Sequence, residues 1–455
     1  VSRVRSLYQC QSCGASFAKW QGQCGECGEW NTIVETAQTS SQAGSRHARS
    51  WTGADAGGLA RLDRVEREGG WRAPVGIGEL DRVLGGGLVQ GSVVLIGGDP
   101  GIGKSTLLLQ AIAALAGRLR GLYVSGEESP AQLAARAERL GIDLGSVECL
   151  AHTQLETILA VLERERPALA VIDSIQTVWS EALTAAPGSV SQVRECAAEL
   201  VRFAKTRQVA IVLVGHVTKE GGIAGPRVLE HMVDAVLYFE GESGSRLRVL
   251  RALKNRFGPV NELGVFAMGD KGLREVPNPS ALFLAGRAER APGSVVLVSR
   301  EGTRPLLVEV QALVDDSPLP SPRRLALGLD GTRLAMLLAV LHRHGGLAVF
   351  SQDVFVNVVG GLRVGETAAD LAVLLAVASS FRDRALAGEM AVFGEVGLSG
   401  EIRPVAHGEE RIREARQHGF SALLLPKANA PRKAPQGIRL IAVERLAEAL
   451  EAAFA

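Results

Sequence analysis

The sequence predicts an α/β fold preceded by a small metal-binding module, and three observations predict this arrangement. The apolar run Ser92-Val-Val-Leu-Ile-Gly97 leads into Gly98-Asp99-Pro100-Gly101-Ile102-Gly103-Lys104-Ser105-Thr106, and Leu107–Leu115 continues as an apolar helix-length segment. After it, short apolar runs alternate with helix-length segments, as the strands of a buried parallel sheet do. Ahead of both stand two Cys-x-x-Cys pairs, too small a segment for an ordinary core.

The glycine-rich run fits the pattern G-x-x-x-x-G-K-[ST] at Gly98, Gly103, Lys104 and Ser105, and its flanks supply the strand and helix that the pattern needs. A triphosphate requires backbone N–H groups aimed inward from a tight loop. Glycines at 98, 101 and 103 permit this because they lack a Cβ and tolerate positive φ. The phosphates then meet a helix N-terminus, where unpaired N–H groups and the dipole favour anions. Lys104 is expected on the β and γ phosphates and the Ser105 hydroxyl on Mg²⁺, so ATP and Mg²⁺ are the expected ligands.

Composition bounds the rest. A chain of 455 residues suggests about three domains. With 22% charged residues, 46% hydrophobic residues and a net charge of +1, it is ordinary globular material without a global basic signal for nucleic acid. The opening Val1-Ser-Arg-Val-Arg-Ser carries no secretory apolar region, and apolar stretches such as Leu371–Phe381 fall short of a membrane span. A cytoplasmic location without membrane contact is expected. Six cysteines, four of them in the paired motifs, indicate metal chemistry rather than a disulfide framework.

Residues 1–35 hold Cys10, Cys13, Cys24 and Cys27, each pair followed by glycine. Two such knuckles complete a tetrahedral four-cysteine site, for which Zn²⁺ is the expected metal and the source of folding energy. Trp20 and Trp30 are expected to pack this small module. Residues 36–70, rich in Ser, Gly, Ala, Gln and Arg without apolar periodicity, read as a solvated linker.

The core domain is expected over 71–280. Its strands are Leu122–Val124, Ala168–Ile172, Ala210–Val214 and Ala235–Phe239, followed at hairpin spacing by Arg246–Lys254 and Leu263–Met268. Ligands belong at the carboxyl ends of such strands. Asp173 ends one of them and is expected to orient Mg²⁺; Glu127, in preference to Glu128, ends another and is expected to polarise the attacking water. His216 is either a γ-phosphate sensor or a structural histidine. The Gly/Ser-rich loops 176–191 and 219–227 read as mobile.

Together, Gly76–Ser105, the Glu pair, Asp173-Ser174 and Lys254-Asn-Arg-Phe-Gly258 resemble the RadA (Sms) family of bacterial DNA repair and recombination ATPases, as do the four-cysteine zinc finger and the last third of the chain. The resemblance implies a RecA-like core assembled into a ring, a homohexamer, that moves on single-stranded DNA and drives migration of branched recombination intermediates. It also implies work beside a RecA-type recombinase, with Lys219 and Arg227 on DNA. Lys254 and Arg256, two residues apart on an extended segment, are then expected to cross to a neighbour's γ-phosphate.

Beyond Pro277-Asn-Pro279, residues 285–455 resemble the protease domain of Lon. Strands are expected at Ser294–Ser299 and Leu306–Val314, helices at Thr332–His342 and Thr367–Arg384, and a hairpin over Ala391–Arg403 turning at Ser399-Gly400. Thr367 stands at the position of the Lon serine and Glu409 at that of its lysine. A carboxylate cannot replace that lysine, so the domain is expected to be proteolytically inactive. Arg323, Arg324, Arg333, His342, Arg343 and His344 suggest a basic surface for duplex DNA or an ordinary solvated face. A Lon-like ATP-dependent protease and a KaiC-like signalling ATPase are the alternative functions.

Overall fold

The computed structural model describes residues 5–10, 15–17, 19–38, 70–215, 228–241, 246–287, 291–318, 320–386, 389–433 and 435–455. The chain divides into two compact units, Val1–Pro277 and Asn278–Ala455.

The first unit opens with a three-stranded antiparallel ribbon, β1 (Arg5–Cys10), β2 (Ser16–Phe17) and β3 (Ile33–Gln38), in the order β2-β1-β3. Its core is Cys10, Cys24 and Ile33, flanked by Tyr8, Ala15 and Phe17. Trp20 and Trp30 are not buried in it: they are 58% and 68% exposed, both beside Gly22, and Trp20 reaches the core only through its Nε1–H, which donates to the Ile33 carbonyl at 3.1 Å. A ribbon this small buries side chains only around its cysteines, which leaves no interior for two indoles.

After β4 (Arg72–Ala73), α1 (Gly78–Leu84) and β5 (Leu88–Val89), the main sheet begins at β6 (Val93–Gly98). It continues through α2 (Lys104–Leu115), β7 (Gly121–Ser125), α3 (Pro130–Leu140), β8 (Glu148–Ala151), α4 (Leu155–Glu165), β9 (Leu169–Asp173), α5 (Val190–Arg207), β10 (Ala210–Val214) and α6 (Val228–Met232). It closes with β11 (Ala235–Glu240), β12 (Leu247–Asn255), β13 (Leu263–Gly269) and β14 (Gly272–Glu275). The order is β14-β13-β12-β11-β6-β10-β9-β7-β8, parallel from β11 to β8 and antiparallel beyond. Every residue of β6 is buried. Val94 and Ile96 join the core cluster containing α2, whereas Val93 and Leu95 join the one containing α5, as the two-residue period of a strand covered on both faces requires.

Loop 176–191 is held rather than loose. The buried Gln192 amide donates to the carbonyls of Ser180, Leu183 and Ala185 and accepts from the Ser180 N–H at 2.9 Å. Trp179 adds backbone bonds to Thr153 and Leu155. His216, Lys219, Arg227 and most of 36–70 lie outside the described residues.

The second unit carries α7 (Pro279–Phe283), β15 (Ser294–Glu301), β16 (Arg304–Asp316), β17 (Arg324–Leu327), α8 (Gly331–Gly345), β18 (Gln352–Val358), α9 (Asp370–Phe381), β19 (Met390–Val392), β20 (Glu395–Val396), β21 (Ile402–Arg403), α10 (Gly408–Gln417), β22 (Ala422–Pro426), β23 (Arg439–Val443) and α11 (Leu446–Phe454). Its sheet runs β17-β18-β16-β15-β19-β22-β23. α9 is apolar all round and buried almost all along, the pattern of a central helix. The expected hairpin over 391–403 is split. β19 joins the main sheet, parallel to β15 and β22, and only β20 and β21 pair antiparallel around Gly400.

Candidate active site

The register of the parallel strands brings the site together. Ser125 pairs with Asp173 at the ends of β7 and β9, so the residues that follow, Glu127 and Ser174, leave the sheet side by side. The Ser174 hydroxyl donates to Glu127 Oε1 at 2.7 Å. Glu128 turns away to Arg136 and its backbone to Ser125. The loops approach so closely that a Cβ on Gly126 would lie 1.9 Å from Thr177 Oγ1, while the Gly126 N–H donates to the Asp173 carbonyl at 2.8 Å. Glycine is therefore required where β7 ends.

At the end of β6, Gly98 has φ +147, and a Cβ there would meet the Phe239 carbonyl at 2.6 Å. Gly103 caps α2 in the left-handed conformation; no side chain caps this helix and no acidic residue occupies its first turn. Its first N–H groups are thus left for an anion, which is the fit expected of a phosphate site. Lys104 is buried and donates to the carbonyls of Gly98 and Asp99 at 2.8 and 2.9 Å. Burial holds its pKa below the ordinary lysine value, against the opposing pull of Asp173, Glu127 and Asp99. An amine desolvated this way gains by meeting an anionic oxygen.

Tyr123 was not singled out by the sequence. Its ring is buried in β7 and its hydroxyl donates to Asp173 Oδ2, within reach of the Ser105 hydroxyl. Burial, followed by the neighbouring Asp173 charge, pushes its pKa well above the usual tyrosine value. The two-residue period that sets Tyr123 and Ser125 on one face was the available signal. Of Arg246, Arg248 and Arg251, the arginines ahead of Lys254 in the sequence, Arg248 donates from Nε to the Ile102 carbonyl of the phosphate loop at 3.2 Å. Arg251 pairs with Glu240. The basic stretch over 246–251 is thus engaged partly inside the subunit.

Lys254 and Arg256 sit elsewhere. Through β11, Asn255 is level with Ala235 and Val94, whereas Gly98 is level with Phe239. Four strand steps at ~3.3 Å put the pair roughly 13 Å down the strands from the loop, toward their opposite ends. Lys254 donates to the Glu230 and Val233 carbonyls at 2.7 and 2.8 Å, at the end of α6. Burial and the adjacent Arg256 charge lower its pKa. Arg256 pairs with buried Asp234 at 3.3 Å yet keeps 59% of its side chain exposed. The rest of the signature joins elements: Asn255 donates to Val83, the Phe257 carbonyl accepts from Arg72, and a Cβ on Gly258 would lie 2.8 Å from Gly85 Cα.

In the ribbon, the sulfurs of Cys10, Cys24 and Cys27 lie within 4.8 Å of one another. Cys13 lies outside the described residues. Three converging thiols in so small a module fit a Zn²⁺ site.

The second unit places Thr367 beside a cavity of about 310 Å³ lined partly by Leu337, Val364 and Val373. The Thr367 hydroxyl donates to Glu395 at 2.6 Å. Glu409 points to the other side of α10, among Arg413, Arg416 and Lys433. Arg411, two residues on and turned to the buried face, binds both oxygens of Glu366, the residue before Thr367, at 2.9 and 2.5 Å. Of the basic candidates, Arg333 pairs with buried Asp370 and Arg323 with Asp353, so neither is a free surface charge.

Three family models match: "AAA domain" over residues 74–222, "Rubredoxin metal binding domain" over 8–35 and "Subunit ChlI of Mg-chelatase" over 337–429. A KaiC-like protein of Pyrococcus horikoshii aligns over 46% of this chain and all of its own, at 22% identity and a TM-score of 0.39. The DNA repair protein RadA of Escherichia coli is 55% identical over 449 residues, 98% of each chain, and that of Bacillus subtilis 49% over 452 residues, 99% of each. The fold class is accordingly a zinc ribbon, a RecA-like P-loop ATPase core and a Lon-protease-like α/β domain. At 60% identity to the RadA of Pseudomonas aeruginosa over 454 residues and the full length of both proteins, the chain belongs to the RadA family of DNA repair proteins.

Proposed function

We propose that the chain is a DNA-dependent ATPase of DNA repair and homologous recombination, which moves on single-stranded DNA and drives branch migration from within a homohexameric ring, beside a RecA-type recombinase. The observation that carries the reading is the split site. Lys104, Asp173 and Glu127 converge at the carboxyl ends of the parallel strands, and Lys254 and Arg256 lie toward the other end. A cation that cannot reach its own phosphate loop serves one on an adjacent subunit.

In this reading the loop Gly98–Thr106 binds the triphosphate and Lys104 leaves its two carbonyls for the β and γ oxygens. Ser105 and Asp173 hold Mg²⁺, which when bound neutralises phosphate charge. Glu127, released from Ser174, orients and deprotonates water. Arg256, the more exposed cation, offsets transition-state charge in trans, while Lys254 anchors its strand to α6. Cys10, Cys13, Cys24 and Cys27 hold Zn²⁺, which supplies folding energy to the ribbon. The protease reading lacks its chemistry, because Arg411 is fixed on Glu366 and a guanidinium cannot serve as a base.

ATP hydrolysis with and without single-stranded DNA tests the proposal. Stimulation in the wild type, loss of at least ~100-fold in Lys104→Ala and recovery of activity on mixing Arg256→Ala with Glu127→Gln protein are expected. A wild type indifferent to DNA would refute the motor; no recovery on mixing would refute the shared site.

A further inference from the structure

Asp173 is gripped from below by a neutral donor. Its strand neighbour β7 sends Tyr123 to the same face as the phosphate loop, where the ring packs in the core cluster that includes α2. The tyrosine is 1% exposed and donates to Asp173 Oδ2, and the Ser105 hydroxyl lies within hydrogen-bonding reach of the same phenol. One buried hydroxyl thereby binds Asp173 and lies near Ser105, the two residues assigned above to Mg²⁺.

We infer that Tyr123 is a positioning residue for the magnesium site: it holds one oxygen of Asp173, sets the carboxylate plane, and leaves the other oxygen and the Ser105 hydroxyl for the metal and its waters. The inference rests on the proposed roles of Asp173 and Ser105. Its physical basis is preorganisation. A carboxylate on a strand end rotates about two bonds, and a buried phenol that donates to it removes that freedom before metal arrives. The ring itself is apolar packing, which phenylalanine would preserve. The hydroxyl alone is the device.

The test measures nucleotide affinity rather than turnover, on the full chain, with N-methylanthraniloyl-ADP as the probe. Binding is titrated in excess EDTA and again in Mg²⁺ for wild type, Tyr123→Phe, Asp173→Asn and the double variant. Wild type is expected to bind more tightly with Mg²⁺. Tyr123→Phe should keep its affinity in EDTA and lose about ten-fold of the Mg²⁺-dependent gain, the scale of one lost hydrogen bond to a charged group. In the Asp173→Asn background the tyrosine change should cost nothing further, since its effect passes through that carboxylate.

Three results overturn it, and they are distinguishable. If Mg²⁺ does not tighten wild-type binding, or Asp173→Asn retains the whole gain, the metal reading fails and the inference with it. If wild type and Asp173→Asn behave as stated but Tyr123→Phe keeps the full gain, only the inference fails. If Tyr123→Phe loses affinity in EDTA as well, the residue supports the pocket as a whole and not the metal.

Discussion

Glu366→Ala is the sharpest probe of the second unit. The carboxylate receives both arms of the Arg411 fork, the Ser299 hydroxyl at 2.9 Å and the Arg300 N–H at 2.8 Å. Arg411 is 2% exposed, with two further bonds, to the Val298 carbonyl at 2.6 Å and the Ala406 carbonyl at 3.2 Å, and the Phe393 ring 5.7 Å away. Removing the acid strands a buried guanidinium, for which the cost is about 3–5 kcal/mol. Glu366 keeps 24% exposure, so water reaches part of the pair and the lower end, about 3 kcal/mol, is expected. A chain of two units need not unfold in one step, so local amide hydrogen exchange is the suitable assay. Peptides from β15 and α10 should exchange at least ~100-fold faster in Glu366→Ala, and Arg411→Met added to Glu366→Ala should restore most of the protection because no charge is then left unpaired. Unchanged exchange, or a double variant as loose as the single, would refute the claim that this buried pair holds β15 and α10 together.

Two further outcomes follow from buried polar groups. Gln192→Ala removes the bonds that hold loop 176–191, and cleavage by a glutamate-specific protease after Glu181 should accelerate by ~10-fold or more; equal rates would mean that the loop is held by other contacts. Burial, and then the nearby Glu156 charge, pushes the Cys196 thiol up to about 12. The folded chain keeps that proton where an unfolded thiol, with a pKa of about 8.5, loses it, so the stabilisation is complete below pH ~8.5 and falls away as pH rises towards 12. At pH 9, iodoacetamide should label exposed Cys149 promptly and Cys196 only on unfolding, as read by peptide mass; equal labelling would contradict the shift.

Local chemistry made much of this protein legible in its sequence. The phosphate loop needs glycines, a lysine and a hydroxyl at fixed spacing between a strand and a helix, and the paired cysteines need theirs, so both are written contiguously. Asp173 was legible for the same reason, standing at the end of an apolar strand. Which partner each side chain takes was decided only by the tertiary structure. Tyr123 meets Asp173, and Ser174 meets Glu127, because β7 and β9 are neighbours in register although some 50 residues separate them in the chain, a pairing that no local pattern encodes. Arg411 rather than residue 409 meets Glu366 because helical phase, set by the packing of α10, turns one to the core and the other to solvent. The opposite placement of Lys254 and Arg256 is a matter of strand direction: β12 runs antiparallel to β11, which carries the signature away from the loop that precedes α2.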